Sequence, residues 1–284
     1  MVLGFVVPAY SSFPPFSRAY FPALLDGVVL AADRLGYSVT IVLDKVERGH
    51  KDYQNLIRSR TVDGLLFAVT PADFRPFELL SEDKVPFVLI NNYRTGLSSV
   101  DARPESGMRK AFSHATNLGH SCIGYITGDM AFRNATDRLD CFRKLCAEFG
   151  TSGKVVEGDF SKTSGYKAMG RLLDGDDLPT LIMTSSDREA LGVLQYCLEH
   201  GIQVPRDLSV IGYDNLHPAQ DIAPPLSTVH HPITDLGRAA TVLLTGIIEG
   251  RISGPVQEFL DTDFVVREST SVPRRVRFPG KTEN

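Results

Sequence analysis

Short apolar runs rich in β-branched residues recur along the 284-residue chain and constrain its fold more than any other feature. Each run is continuous instead of alternating with polar residues, which is typical of strands covered on both faces of a parallel sheet. The runs are LGFVV, YSVTIV, VDGLLFAV, VPFVLIN, CIGYIT, TLIMTS and LSVIGY. Segments with helical spacing separate them, so the sequence predicts an α/β fold with right-handed crossovers.

The helical segments follow the strands in regular order. Residues 24–35 place Leu24, Val28 and Leu35 in one apolar stripe, and Gly36 follows as a common helix stop. Similar patterns cover about 104–118, 135–149, 164–173, 187–200 and 234–248. Because the strands are too many for one comfortable open sheet, we expect two doubly wound parallel-sheet lobes.

Composition excludes several classes of protein. The formal net charge of −4 gives no overall basic field, so the chain is not expected to hold nucleic acid by bulk electrostatics. The four cysteines form no CxxC pair, which favours reduced thiols in a cytoplasmic protein. The apolar start lacks a basic leader and meets Pro8 early, so we interpret it as a strand and expect no membrane contact. A basic tail closes the chain with Arg274, Arg275, Arg277 and Lys281.

Polar residues stand where several predicted strands end. Asn91, Asp187 and Asp214 each follow an apolar run. Ligands of open parallel sheets bind at the carboxyl ends of the strands, so these side chains are candidate binding residues. Each could instead cap a helix or form a turn, and for Asp187, directly ahead of a helix, the two interpretations stay open.

Motifs of enzymes and metal sites are not found. The segment 119–124, GHSCIG, has its second glycine one residue late for a nucleophile elbow, and 158–165, GDFSKTSG, lacks the glycine spacing of a P-loop. No GxGxxG follows the first strand, and His217, His230 and His231 lack HxxxH spacing. We therefore expect no catalytic residue, no cofactor and no metal, which leaves a binding protein as the simplest interpretation.

Three stretches together resemble a known family. They are LGHSCIGYITG at 118–128, GIQVPRDLSVIGYDNLHPAQDIAPPLSTVHHPITDLGRAA at 201–240 and VVREST at 265–270. From Leu3 to about Thr270 the chain resembles the effector-binding core of lactose-repressor (LacI/GalR) type transcriptional regulators, whose lobes look like periplasmic sugar-binding proteins.

The resemblance implies an architecture of two lobes joined by three hinge crossings. The crossings are expected near 101–104, 228–232 and 260–263. The N-terminal lobe would hold 1–102 and 231–261, the C-terminal lobe 103–230 and 262–273, and the tail 274–284. A small molecule bound in the cleft would change the orientation of the lobes, which pass the signal to DNA-binding headpieces across a homodimer.

Site residues follow from the same resemblance. The family's Asn-Pro-Phe-Phe loop matches residues 18–21, so Tyr20 and Phe21 stand at its two aromatic positions. An inserted segment, 11–17, precedes this loop in the sequence. Arg138 matches the arginine that opens Arg-Leu-x-Gly-Phe, and a guanidinium fork suits paired hydroxyls or a carboxylate. Asn134 and Met183 take positions that contact or face the effector in this pattern.

Two departures bear on the effector. Arg103 stands where the family commonly has aspartate, and Asn91-Asn92 stands where it often has Asp-Arg. If Arg103 lies beside Arg138, an anionic effector, a sugar phosphate or an organic acid, becomes more favourable than a neutral sugar. If the alignment shifts by two residues, Asp101 is the match instead.

The sequence thus predicts a cytoplasmic, non-enzymatic, homodimeric core that binds a small-molecule effector. Operator DNA would be bound through an N-terminal helix-turn-helix headpiece, and this chain, which starts at the first strand of the core, is not expected to bind an operator alone. A solute-binding protein of a transport system is the alternative, disfavoured by the lack of a leader and by the free cysteines.

Overall fold

The computed structural model describes residues 1–8, 16, 19–44, 52–174, 178–216, 219 and 221–274. Arg18, most of the inserted segment 11–17, His217 and the tail from 275 lie outside the described residues. The chain divides into two compact units. The N-terminal unit holds residues 1–102 and 232–260, and the C-terminal unit holds 103–231 and the residues from 261 onward.

Strands and helices alternate through most of the described residues. The strands are β1 (Val2–Pro8), β2 (Ser38–Asp44), β3 (Gly64–Ala68), β4 (Phe87–Ile90), β5 (Ser99–Arg103), β6 (Cys122–Ile126), β7 (Ser152–Val156), β8 (Leu181–Thr184), β9 (Ser209–Asp214), β10 (Ser227–His230), β11 (Gln257–Asp261) and β12 (Asp263–Val265). The helices are α1 (Tyr20–Arg34), α2 (Tyr53–Arg58), α3 (Pro76–Glu82), α4 (Glu105–Asn117), α5 (Arg133–Phe149), α6 (Lys162–Leu172), α7 (Asp187–Glu199) and α8 (Ile233–Ile248). None of these helices is long and apolar enough to cross a membrane.

The N-terminal unit is built on a six-stranded sheet of order β11-β5-β4-β3-β1-β2. Strands β1 to β5 pair in parallel, and every residue of β3 and β4 is buried. An aromatic cluster around Phe67 packs on one face, with Phe77 edge-on at 5.0 Å. Helices α1 and α8 meet closely at glycines, since a Cβ at Gly27 or Gly237 would overlap backbone of the other helix.

The C-terminal unit has a second six-stranded sheet of order β12-β10-β9-β8-β6-β7, in which only β12 of the paired strands described is antiparallel. Alternate residues of each central strand face opposite sides. Tyr125, Met183 and Tyr213 pack toward α4 and α5, whereas Ile182 and Val210 pack toward α6 and α7. The two mostly parallel sheets with helices on their faces confirm the predicted α/β class.

Candidate functional site

The strongest candidate site lies in the C-terminal unit, where β9 ends at Asp214. Asp214 has a φ of +117° and Asn215 a φ of +60°, a backbone conformation that non-glycine residues rarely adopt. Several hydrogen bonds hold this turn. The His231 amide donates to the Asp214 carbonyl at 3.2 Å, and Arg267 Nη2 donates to Asn215 Oδ1 at 2.6 Å. Backbone strain that the surroundings fix in this way is typical of functional sites.

Arg138, on α5, brings a buried cation to the same point. Its Nη2 lies 3.9 Å from Asp214 Oδ1, and its Nη1 donates to the Ser185 carbonyl at 2.5 Å. The guanidinium carbon lies 3.8 Å from the centroid of the Tyr213 ring. Only 4% of Arg138 is exposed, so the ion pair, the hydrogen bond and the cation–π contact together hold a charge away from water.

His231 completes the group from the end of β10. Its Nδ1 lies 3.5 Å from both Asp214 Oδ1 and Arg138 Nη2. Burial and the neighbouring Arg138 lower the pKa of His231 well below its usual range, so the ring is neutral. The site therefore holds one permanent cation, one carboxyl group and one neutral imidazole in mutual contact.

Asp187 lies behind this group. Its Oδ1 accepts a hydrogen bond from Thr228 Oγ1 at 2.6 Å and its Oδ2 accepts one from the Leu216 amide at 3.0 Å. The N-cap of α7 is Ser186, not Asp187, so the carboxylate instead ties β10 to the segment after Asp214. A Cβ at Gly212 would overlap Asp187 Oδ1, which explains the glycine in VIGYD.

The two carboxyl groups have perturbed protonation. Burial raises the pKa of Asp214 to about 7, although Arg138 opposes the rise. Burial and then the nearby Asp214 raise the pKa of Asp187, against the hydrogen bonds that it accepts. Like charges in one buried site are costly, so the pair titrates as a unit and holds a proton near neutral pH.

The other predicted residues of the C-terminal unit differ in position. Met183 is buried in β8 on the α4 and α5 side of the sheet. Asn134 lies in the first turn of α5, and its Oδ1 is buried without a hydrogen-bond partner among the described residues. Arg103 has an exposed side chain, whereas Arg138 is interior. Asp101, the alternative to Arg103, is buried in the N-terminal unit, where its Oδ1 accepts from the Tyr93 amide at 3.0 Å.

Within the N-terminal unit, the structure brings two predicted residues together. Asn91 follows β4 with a φ of +59° and is buried, and its Nδ2 donates to the Tyr20 hydroxyl at 3.1 Å. Phe21 packs into the core with its ring 5.5 Å from that of Tyr20 in an edge-on arrangement. Tyr20 and Asn91 thus form a neutral polar pair at the end of β4.

The residues around Arg138 that sequence reasoning missed are Tyr213, His231, Ser185 and Phe160, whose ring centroid lies 5.9 Å from the Arg138 guanidinium carbon. Tyr213 and His231 lie in the stretch 201–240, which carries the resemblance and also contains Asp214. Their place in that stretch was the sequence signal that could have identified them as site residues. The spacing of the histidines bears only on metal binding and does not indicate a place beside Arg138. Across the described ranges, no group of three or more His, Cys, Asp or Glu side chains could hold a metal ion.

Comparison with known proteins identifies a matching family and several relatives of this chain. Residues 112–270 match the family described as periplasmic binding protein-like domain. The HTH-type transcriptional repressor PurR of Haemophilus influenzae is 31% identical over 262 residues, which are 88% of this chain and 77% of that protein. The HTH-type transcriptional repressor CytR of Escherichia coli is 29% identical over 266 residues, 90% and 77% of the two chains.

Solved structures of transcriptional regulators have a similar fold. A complex of the transcriptional regulator CelR with cellobiose has a TM-score of 0.86 at 27% identity, over 94% of this chain and 84% of that one. A LacI-family regulatory protein from Chloroflexus aggregans has a TM-score of 0.85 at 27% identity, over 95% and 98%. Fold and matched region thus define a periplasmic-binding-protein-like core. The chain belongs to the LacI family of transcriptional regulators, which confirms the resemblance.

Proposed function

We propose that this chain binds a small-molecule effector at the Arg138–Asp214 group and controls transcription as the non-enzymatic, effector-binding and dimerisation core of a cytoplasmic regulator. The observation that carries the proposal is a buried arginine beside a carboxylate on strained backbone at the end of β9. Four free thiols are in keeping with a cytoplasmic location. The transport-protein alternative is not favoured, because the relatives are repressors.

The chemistry of the group favours a ligand with hydroxyl groups. A carboxylate accepts hydrogen bonds and a guanidinium donates them, so the Asp214 and Arg138 pair can hold adjacent hydroxyls of a sugar. An anionic ligand, a sugar phosphate or an organic acid, would bind best when Asp214 is protonated, because Arg138 is then without its countercharge. Affinity that strengthens as the pH falls through about 7 would therefore identify an anion.

A thermal-shift screen tests the proposal. The panel holds D-ribose, cellobiose, sugar phosphates, organic acids and nucleobases, since relatives include a ribose operon repressor and a regulator in complex with cellobiose. A ligand at about 100 times its dissociation constant stabilises a protein by about 2.7 kcal/mol, which such a screen resolves.

Two arginine variants of α5 make the screen specific. Arg138→Lys keeps the charge but loses the planar fork, and Arg143→Lys is the matched control because Arg143 is exposed on the same helix. We expect a shift that Arg138→Lys removes and Arg143→Lys keeps. No shift across the panel, or an equal shift in both variants, would contradict the proposal.

The homodimer belongs to the same proposal. β2 ends the sheet of the N-terminal unit as described, and 46% of Ile41 and 37% of Leu43 are exposed along it. An exposed apolar edge strand invites pairing with another chain. We assign this face to a second copy, and operator binding to a helix-turn-helix headpiece instead of this core with its net charge of −4.

A further inference from the structure

Glu189 is a buried acid of the C-terminal unit. It lies in the first turn of α7 and has 0% of its surface exposed. Its amide donates to the side chain of the N-cap Ser186 at 3.2 Å, and its Oε2 accepts from the Ser186 hydroxyl at 3.2 Å. In a capping box the glutamate returns to the backbone of the N-cap residue. Here the second oxygen, Oε1, is used elsewhere.

That oxygen holds the segment between β7 and α6. Oε1 accepts a hydrogen bond from the Phe160 amide at 2.9 Å, and the Ser164 hydroxyl lies 3.5 Å away. The backbone runs so close that a Cβ at Gly158 would overlap Oε1. Phe160 itself has a φ of +63°, which an aromatic residue rarely adopts unless its surroundings fix it.

The Phe160 ring points toward the candidate site. It is half-buried, its centroid lies 5.9 Å from the Arg138 guanidinium carbon, and a Cβ at Gly128 would overlap the ring. Since Tyr213 lies 3.8 Å from the same guanidinium carbon, two aromatic rings adjoin Arg138. The ring is within the range of a cation–π contact and adds an apolar surface beside a charged group.

We propose that Glu189 is a positioning residue that fixes Phe160 beside Arg138. A buried carboxyl group is costly unless it is hydrogen-bonded, and the bonds of Glu189 join the start of α7 to the strained Phe160 backbone. The inference rests on the proposed function, because Phe160 matters to effector binding only as a wall of the Arg138 site. The charged and titratable groups that interact with Glu189 are Asp159, Arg138 and Tyr125.

Three substitutions separate this role from simple capping of α7. Glu189→Gln keeps an acceptor for the Phe160 amide and can donate to the Ser186 hydroxyl. Glu189→Leu keeps a similar volume without hydrogen-bonding groups. Ser186→Ala is the matched control, since it removes the N-cap of α7 but leaves the bond between Glu189 and Phe160.

Amide hydrogen exchange of the ligand-free chain, read by mass spectrometry on peptides that cover 157–164, is the main measurement. We expect faster exchange there in Glu189→Leu, and exchange like the wild type in Glu189→Gln and Ser186→Ala. Equal exchange in the Leu and Gln variants, or an equal rise in Ser186→Ala, would overturn the proposal. Because no ligand is added, the result is independent of whether the chain binds an effector.

Tryptophan fluorescence gives a second measurement of how residue 160 is held. Because the chain contains no tryptophan, a single introduced indole is the only one that emits. In a Phe160→Trp background the emission of the single indole reports its surroundings. Glu189→Leu should shift that emission to the red and increase quenching by acrylamide, and Glu189→Gln should restore both. The same emission in Phe160→Trp alone, with Glu189→Leu and with Glu189→Gln would contradict the assigned role. If the indole does not fit beside Gly128, the exchange measurement decides alone.

Discussion

Replacing Asp214 by asparagine should remove a pH dependence from the stability of the protein. Burial raises the pKa of Asp214 from 3.8 to about 7. The folded chain therefore holds this proton more tightly than the unfolded chain does. The stabilisation that results is complete below the unfolded value and is lost as the pH rises through about 7.

The size of the effect follows from the shift. At about 1.36 kcal/mol per pKa unit, a rise from 3.8 to about 7 amounts to about 4 kcal/mol of unfolding free energy. Asp187 titrates with Asp214, so about 4 kcal/mol is the upper limit of the part that Asp214→Asn removes. Asparagine keeps the shape of the side chain and does not titrate. The wild type should thus lose up to about 4 kcal/mol relative to Asp214→Asn between about pH 4 and pH 8.

Urea unfolding followed by far-ultraviolet circular dichroism at several pH values measures this difference. Asp263→Asn is a control of opposite sign, because the hydrogen bond from Lys110 lowers the pKa of Asp263. The stabilisation by Asp263 is present at neutral pH and lost in acid. Parallel pH profiles for the wild type and Asp214→Asn would show that the pKa of Asp214 is not raised in the folded chain.

Three further predictions concern other parts of the chain. Gly165→Ala should cost about 1–3 kcal/mol of unfolding free energy, because its Cβ would overlap the Glu189 backbone, whereas Gly170→Ala on the same helix has room and should cost nothing in a urea titration. Ile41→Lys should weaken the dimer in sedimentation velocity, and Val256→Lys, also partly exposed, should not; equal dissociation constants would exclude the β2 face. Burial raises the pKa of the Cys197 thiol to about 12, so iodoacetamide at about pH 8 should leave it unmodified in the folded chain, and alkylation at the rate of the unfolded chain would contradict its burial.

Strands were predictable from the sequence where they are buried on both faces. β1, β3, β8 and β9 are continuous apolar runs because helices cover both sides of the sheet. β7 was missed, since it is an edge strand without a fully buried residue and reads as polar. Short and polar strands carry no apolar run, so β5, β10, β11 and β12 were outside the reach of the same pattern.

The carboxylates of the candidate site could be predicted from the sequence, but several of the residues around them could not. Asp214 and Asp187 follow apolar runs, so the rule for strand ends found both, and Arg138 came from the resemblance. Phe160 lies beside Arg138 because of a left-handed backbone that no sequence pattern specifies. The effector roles of these residues, and of Tyr20 and Asn91, stay predictions.

Isothermal titration calorimetry with the compound that gives the largest thermal shift tests most directly whether Arg138 and Asp214 bind the effector. Wild type, Arg138→Lys and Asp214→Asn would be titrated beside the Arg143→Lys control. Loss of a hydrogen bond to a charged group costs about 1.5–3 kcal/mol, so for a neutral sugar we expect at least about tenfold weaker binding in both site variants. For an anionic compound we expect that loss in Arg138→Lys alone, because Asp214→Asn resembles the protonated carboxyl group. Binding that is equally tight in all four proteins would contradict a site built on Arg138 and Asp214.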